Sequence, residues 1–243
     1  MADNVDIQNQ MMGYDRAATM FSPEGHILQV EYAEKTVRLG SASIGFVCSD
    51  GVLIISDKRV VDSLMVGESA NKIHEIDSHI IASAAGILSD ARILIERAQV
   101  VAQQHRVTYD SAIDTLSIVK DLADIMQQYT QHPGVRPFGI ALMIAGSNSK
   151  NALYVTDITG NYFEYLATAI GENDEKIKEN LRKNYKHTMK IDDALKLGLS
   201  IFKEIKGKSF NIDNFDAAFV LSSDKEKKVY RASGEKLKKH LKQ

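Results

Sequence analysis

The chain has 243 residues, of which 44% are hydrophobic and 26% are charged, values typical of a globular protein. A formal charge of −2 gives no electrostatic reason to expect nucleic acid or an anionic membrane as a partner. No apolar run approaches the roughly 20 residues of a membrane span, and residues 1–6 lack the basic and apolar parts of a signal peptide. We therefore expect a cytoplasmic protein.

The cysteine and proline content limits the covalent and domain organisation. The single cysteine, Cys48, excludes an intrachain disulfide and fits a reducing compartment. It lies in the apolar run 44–48, so we expect a buried hydrophobic side chain rather than a nucleophile. None of the three prolines interrupts a long run, and no repeat or Gly/Ser linker divides the sequence. We therefore expect a single domain over residues 1–243.

The first predicted element is an amphipathic helix over residues 22–39. Apolar residues recur at three- and four-residue spacing after Pro23. Ser22 suits the N-cap, Pro23 suits the first helical position, and Gly40 can end the helix. Residues 1–13 ahead of it are rich in polar side chains, and we expect them to be mobile.

Strand-like and helical segments then follow in blocks. Strands are predicted at residues 42–48, 51–56, 80–85, 139–145, 152–157 and 162–169, with a last hairpin over 216–231. Helices are predicted at residues 89–105, 108–130, 172–185 and 191–205, and a lysine-rich helix ends the chain.

The order of these segments predicts the fold class. Short turns between consecutive strands favour antiparallel pairing over βαβ crossovers. The strand around residues 140–144 is apolar on both faces, so we expect the sheets to be covered on both sides. Two sheets packed face to face, each covered outside by a pair of helices, satisfy every segment. We therefore predict an α+β fold, a four-layer αββα sandwich of two antiparallel sheets with an extra N-terminal helix.

Several segments resemble proteasome α-subunits, in the family's order and at its spacing. The N-terminal block consists of Tyr14-Asp15-Arg16-Ala17 and of FSPEGHILQVEYA at residues 21–33. Further similar segments are GSASIG at 40–45, GVLIISDKR at 51–59, YTQ at 129–131, GVRPFG at 134–139 and a hairpin over 157–171. The archaeal type is the most similar, because the ends lack the long tails of many eukaryotic members. The resemblance implies the N-terminal-nucleophile hydrolase fold and a non-catalytic role in the outer ring of the 20S proteasome core particle.

The resemblance also places Ser41 at the position of the catalytic threonine of the family's active subunits, with Asp57 and Lys72 at the positions of its acid and lysine. In those subunits the free α-amine of the threonine acts as base for its own hydroxyl. The nitrogen of Ser41 is an internal amide, and freeing it would require cleavage after Gly40 and loss of the helix over 22–39. We therefore expect no catalytic residue in this chain. A stand-alone N-terminal-nucleophile hydrolase is the alternative.

The first group of implied functional residues is a gate formed by Tyr14, Asp15, Pro23 and Tyr32. In the family these lie between neighbouring subunits and hold the N-terminal tails open, here residues 1–13. Tyrosine combines apolar area with a hydroxyl group, and an aspartate accepts hydrogen bonds. Proline fixes a turn that can switch between two arrangements. From the residues alone, packing of both tyrosines inside one subunit is an equal alternative.

Two further groups are implied by the resemblance. In the activator socket, Lys72 receives the C-terminal carboxylate of a regulatory ATPase or cap. Its walls are Gly40, Gly86 and Gly25. A flexible ammonium suits a lone carboxylate, although without the resemblance a solvated lysine at a strand edge would be the ordinary interpretation. The pore neck is a loop that surrounds the passage, and its residues are Tyr129, Gly134, Arg136 and Gly139.

The resemblance finally implies the partners. These are a homo-heptameric α-ring, the proteasome β-subunits that carry the catalytic threonine, a regulatory AAA+ ATPase or other cap, and unfolded protein substrates. We expect no cofactor, because the histidines are scattered and no phosphate-binding loop is present, and no metal. We also expect neither nucleic acid nor membrane as a partner. Glu34 departs from the arginine that family members often carry there, at one expected inter-subunit contact.

Overall fold

The chain forms two stacked antiparallel sheets with helices on both outer faces. A computed structural model describes residues 9, 11–58, 64–224, 226–234 and 237. The helices are α1 (Leu28–Leu39), α2 (Leu88–Tyr109), α3 (Thr115–Gln131), α4 (Asp174–Asn184) and α5 (Ile191–Lys206). The strands are β1 (Ser43–Cys48), β2 (Gly51–Asp57), β3 (Ile73–Asp77), β4 (Ile80–Gly86), β5 (Ile140–Ser147), β6 (Asn151–Thr156), β7 (Tyr162–Glu164), β8 (Ala167–Ile170), β9 (Phe215–Leu221) and β10 (Val229–Ser233).

Within the described residues, each sheet has five strands, in the orders β10-β9-β2-β1-β8 and β3-β4-β5-β6-β7. Three buried clusters fill the spaces between the layers. One joins the first sheet to α4 and α5 around Phe46, Phe202 and Phe215. A second joins the other sheet to α2 and α3 around Leu94 and Leu122, and the third lies between the sheets. The predicted four-layer αββα sandwich with an N-terminal helix is confirmed.

The core between the sheets contains one polar group of three serines. The hydroxyls of Ser43, Ser56 and Ser83 lie 2.8–2.9 Å from one another, and all three residues are fully buried. Each hydroxyl can donate one hydrogen bond and accept another, so the three satisfy each other across the two sheets. Cys48 is buried, as the sequence predicted, and burial raises the pKa of its thiol to about 12.

The predicted start of the N-terminal helix at residue 22 is wrong, because α1 begins at Leu28. Residues 22–26 form a turn in which the amide of Ser22 donates to the carbonyl of His26 at 2.7 Å. Gly25 has a φ of +85°, a conformation that interrupts a right-handed helix. Pro23 therefore occupies an exposed turn rather than the first position of a helix.

The predicted strand over residues 162–169 is two strands in different sheets. β7 pairs with β6, whereas β8 pairs with β1. Tyr165 and Leu166 make the crossing, and each has one backbone bond to a sheet: Tyr165 donates to Leu153 and Leu166 accepts from Val47, both at 2.8 Å. A run of strand-forming residues looks the same in the sequence whether it stays in one sheet or crosses to another, so the sequence pattern missed the crossing.

Two other boundaries differ from the prediction. Strand β3, which contains His74, was not predicted. Helix α3 was expected to begin at residue 108, but α2 continues to Tyr109 and the cap of α3 is Asp114, which accepts from the amide of Leu116 at 3.1 Å. Most of the predicted gate tail, Arg59 and most of the C-terminal lysine-rich helix lie outside the described residues.

Candidate functional site

The first two predicted gate residues lie beside the start of α1. Tyr14 and Asp15 are half-buried in a single turn of 3₁₀ helix. The side-chain amide of Gln29 donates to the carbonyl of Asp15 at 2.6 Å, which fixes this turn to α1. Oδ1 of Asp15 is buried, yet it has no hydrogen-bond partner among the described residues. A buried oxygen without a partner is uncommon in folded proteins.

The turn that contains Pro23 is held by side chains on both sides. One carboxylate oxygen of Glu24 accepts from the side-chain amide of Asn9 and from the hydroxyl of Ser22, each at 3.0 Å. The hydrogen bond from Asn9 is the main cause that lowers the pKa of Glu24. Asn9 is itself buried, so the chain ahead of Tyr14 is attached to the Pro23 turn at this point.

Three glycines meet where α1 ends against the second sheet. A methyl group on Gly40 would lie 2.3 Å from the amide nitrogen of Gly86, and one on Gly86 would lie 2.1 Å from the carbonyl oxygen of Gly139. Only glycine permits this approach of three backbones. The structure therefore joins two predicted socket walls to one predicted neck residue in a single glycine junction. Gly25, the third predicted wall, lies in the Pro23 turn.

Lys72 lies beside this junction, where it contacts Ser41, the residue that follows Gly40. Lys72 is 4% exposed, and its ammonium donates to the hydroxyl of Ser41 at 2.9 Å and to the Ser41 carbonyl. The lysine is thus oriented by the chain itself and is not a solvated lysine at a strand edge. The structure brings Lys72, Gly40 and Gly86 together, as the socket prediction requires.

The three positions that match the family's catalytic residues do not form a single group of contacting side chains. Ser41 and Lys72 are in contact, but Asp57 is buried in an ion pair with Lys206 of α5. The nitrogen of Ser41 is part of the peptide bond to Gly40. An amide nitrogen has no basic lone pair, so this group lacks the base that activates an N-terminal nucleophile.

The predicted neck loop is anchored near both ends. The rings of Tyr129 and Phe138 are 4.5 Å apart, and Phe138 is buried. Arg136 forms two hydrogen bonds of 2.6 and 2.7 Å with the carboxylate of Asp90. Gly134 has a φ of +86°, and no other atom lies close to the place that a side chain would occupy. The backbone conformation of the turn, and not close packing, therefore explains the glycine at the tip of the loop.

A cleft of about 150 Å³ separates α1 from the neck loop. Tyr32, Thr36 and Gln29 line it from α1, and Arg136 and Gly139 line it from the loop. One predicted gate residue and two predicted neck residues therefore share one cleft. On the outer side of α1, Glu34 forms an ion pair with Arg38, 2.7 Å apart, and this contact raises the pKa of Arg38.

Two further surfaces carry exposed apolar side chains. Ile93, Val100 and Val107 are seven residues apart on α2 and are 48%, 51% and 87% exposed. A seven-residue spacing puts them on one face of the helix, which we call the α2 stripe. The second surface is a cavity of about 390 Å³ beside β7 and β8, and Phe163 on its lining is 60% exposed.

Sequence reasoning missed three residues that organise this region: Gln29, Thr36 and Asp90. Asp90 lies in the first turn of α2, where an acidic residue is ordinarily explained by the helix dipole. Across the described ranges, no cluster of three or more acidic, histidine or cysteine side chains is placed to hold a metal ion. None of the helices described combines the length and apolar character of a membrane span.

Comparison with known proteins identifies the family to which this chain belongs. The family model "Proteasome subunit" matches residues 37–220, and a second model, the N-terminal signature of the A-type proteasome subunits, matches residues 14–35. The chain is 47% identical over 188 residues to the proteasome α-subunit of Archaeoglobus fulgidus, which covers 77% of this chain and 76% of that protein. It is 40% identical over 229 residues to the proteasome α-subunit of Pyrococcus horikoshii, 94% of this chain and 87% of that protein. The chain therefore belongs to the proteasome subunit family and carries the N-terminal signature of its non-catalytic α-subunits.

Proposed function

We propose that the chain forms the outer heptameric ring of a cytoplasmic 20S proteasome core particle, gates substrate access and docks the C-termini of regulatory ATPases. The observation that carries the proposal is Oδ1 of Asp15 in the N-terminal signature, which is buried and has no hydrogen-bond partner among the residues that the structure describes. Leaving such an oxygen unpaired costs about 1–3 kcal/mol. A donor from a neighbouring copy would remove that cost, and the hydroxyl of Tyr14 or Tyr32 has the required chemistry.

The two sheet edges support a ring of identical copies. β7 and β8 form the edge on one side of the sandwich, and β3 and β10 form the edge on the other. The cavity beside β7 and β8 and the exposed Phe163 and Leu166 leave apolar surface on the first side only partly covered. Contact between two different edges is heterologous, and repetition of such a contact closes into a ring when the rotation permits.

The socket and the α2 stripe supply surfaces for the other two partners. Lys72 beside Gly40 and Gly86 offers an oriented ammonium next to half-buried glycine backbone, which suits a C-terminal carboxylate of a regulatory ATPase. The α2 stripe is a row of apolar side chains on an outer layer, which suits a second ring of β-subunits. Unfolded protein would then pass through the α-ring to the threonine of the β-subunits.

The alternative of a stand-alone N-terminal-nucleophile hydrolase has one observation in its favour, the contact between Ser41 and Lys72. The ammonium in that contact also donates to the Ser41 carbonyl, so it acts as a donor and not as a base. Peptidase activity from the chain expressed alone would support the alternative. Inert chains that gain activity only with a β-subunit would support the proposal.

Substitution of Asp15 by alanine tests the proposal, because it removes the acceptor oxygen that asparagine would keep. Because Oδ1 has no partner within the described chain, we expect the melting temperature of the isolated chain to change by less than about 2 °C. In particles assembled with β-subunits, we expect ATPase-stimulated degradation of an unfolded protein to fall at least fivefold. Asp193→Ala, at an exposed position of α5, is the control and should leave both measurements unchanged. Full stimulation of Asp15→Ala particles would contradict the proposed gate.

A further inference from the structure

The neck loop is fixed to the start of α2 by one carboxylate. Asp90 is 8% exposed and accepts three hydrogen bonds: two from the guanidinium of Arg136 and one from the amide of Gly139 at 3.0 Å. Burial alone would raise the pKa of Asp90, but the bonds from Arg136 and Gly139 bring it below its ordinary value. The carboxylate is therefore charged at neutral pH. A charged, bidentate contact is among the strongest and most directional that a protein forms.

The same loop is joined to α1 through Gly139. Its carbonyl oxygen accepts from the amide of Ile87 at 3.0 Å and lies 2.8 Å from the hydroxyl of Thr36. The Thr36 hydroxyl is also 2.7 Å from the carbonyl of Ala33, so its single proton is shared between two acceptors. The amide of Gly139 thus donates to Asp90, and its carbonyl accepts from Thr36 of α1.

The space around these contacts leaves little freedom for relative movement. A methyl group on Gly139 would lie 2.7 Å from the side chain of Ile87 and 2.8 Å from the Thr36 hydroxyl. Tyr32 and Arg136 line the same cleft of about 150 Å³ on opposite sides. A displacement of α1 at Thr36 must therefore move Gly139 or break its bonds.

We propose that Asp90 is the positioning residue of the neck loop and that Thr36 joins that loop to α1, so that the neck and the gate-bearing helix are held as one body. The inference rests on the proposed function, because it takes residues 129–139 to line the passage for substrate. Asp90 touches no substrate in this proposal. It acts through Arg136 and Gly139, and its role is to keep the loop out of the passage.

The test uses full-length chains assembled with β-subunits and a regulatory ATPase. For each variant, the rate of degradation of an unfolded protein is divided by the rate of hydrolysis of a fluorogenic tetrapeptide. We expect this ratio to fall at least threefold for Asp90→Asn and for Arg136→Gln, because a released loop obstructs a long chain more than a small peptide. Thr36→Val, which replaces the hydroxyl by a methyl group and so breaks the hydrogen bond to Gly139, should lower it about twofold. The Asp90→Asn/Arg136→Gln double variant should be no lower than either single variant, because both break one contact.

The ion pair between Asp77 and Arg106 provides the matched control. It is a 2.6 Å contact between a buried aspartate and an arginine at the other end of α2, roughly 24 Å from Asp90 along the helix. Asp77→Asn should lower the melting temperature without changing the degradation ratio. If Asp90 contributed only to stability, Asp90→Asn would behave in the same way. Arg136 is largely exposed, so Arg136→Gln tests the contact even if Asp90→Asn folds poorly.

Two outcomes separate the inference from the function on which it rests. If the unaltered chain gains no peptidase activity with β-subunits, the proposed function fails. If the unaltered particle is stimulated and Asp90→Asn and Arg136→Gln particles have its degradation ratio, only the role of Asp90 is overturned. A methyl NMR spectrum gives a second readout, in which Val135 should shift in Arg136→Gln and not in Asp77→Asn.

Discussion

Lys72 and Lys58 are both nearly buried, and their different partners give them different roles. Lys58 forms an ion pair with Asp216 at 2.9 Å, a contact that neutralises two buried charges. Lys72 donates to the hydroxyl and to the carbonyl of Ser41, and these contacts fix the position of its ammonium beside Gly40. In the proposed socket this ammonium receives a carboxylate, whereas Lys58 has no such role.

Matched substitutions of these two lysines by methionine test the socket. Methionine keeps most of the aliphatic stem and removes the ammonium. We expect Lys72→Met rings to assemble but to lose at least tenfold of their stimulation by a regulatory ATPase. Lys58→Met should lower the free energy of unfolding by about 3 kcal/mol, because it leaves Asp216 charged and buried, but rings that assemble should still be stimulated. Equal stimulation of both variants would exclude Lys72 from the socket.

The residues of the site were predictable to different extents. Lys72, Gly40 and Gly86 were grouped by resemblance, and the structure brings them into one region. Asp90 and Thr36 were not identified, because their partners lie 46 and 103 residues away in the sequence. A short pattern cannot report contacts of that length. The polar residues that organise the neck look like ordinary surface residues until the fold is known.

Among the elements, the glycine junction determines where α1 and the second sheet can meet. Gly86 has a φ of +118° and its Cα faces the carbonyl oxygen of Gly139, whereas Gly134 has a φ of +86° in open space. Both are conformations that favour glycine, but only the first also requires the absence of a side chain.

This difference predicts unequal effects of alanine at the two glycines. Gly134→Ala should lower the free energy of unfolding by about 1 kcal/mol, the strain of a positive φ alone. Gly86→Ala should lower it by about 3 kcal/mol or more, because its Cβ would lie 2.1 Å from a backbone oxygen. Urea titration of both variants measures the difference. Equal losses would show that the junction can open to admit a methyl group.

Element boundaries show where sequence patterns are informative. The long helices and most of the paired strands were predicted because their apolar patterns are regular, whereas β3 was missed. The start of α1 was misplaced because Ser22 and Pro23 favour a helix locally, while the bond between Ser22 and His26 and the φ of Gly25 form a turn instead. The division of residues 162–169 into β7 and β8 depends on which strand pairs with each, and that information is not local.

At the scale of the whole molecule, the outer helical layers differ in their surfaces. The α2 stripe exposes a row of branched apolar side chains, whereas α5 directs its apolar residues into the core. Apolar rows of this kind mark surfaces that are covered in an assembly. The layer formed by α2 and α3 is therefore the side on which we expect the β-subunits.

A single charge on each outer layer tests this assignment. Val100→Glu should prevent association with β-subunits, because it places a carboxylate in the α2 stripe. The chain should still fold, since Val100 is half-exposed. Ser200→Glu, on the exposed face of α5, should assemble normally. Native mass spectrometry of both mixtures measures assembly. Complete particles formed by Val100→Glu would show that the β-subunits bind another surface.

The two-residue crossing between β7 and β8 sets a length constraint on the sandwich. Glu164 and Ala167 are separated by three Cα-to-Cα steps, which span at most roughly 10–11 Å when extended. Stacked sheets lie about 10 Å apart, so Tyr165 and Leu166 have almost no slack. Deletion of either residue would draw the sheets together and expel core side chains, while an inserted residue would break the register of β8 on β1. The sheet separation along this edge is thus dictated by backbone length, and insertions or deletions should be tolerated less here than at any hairpin turn of the described chain.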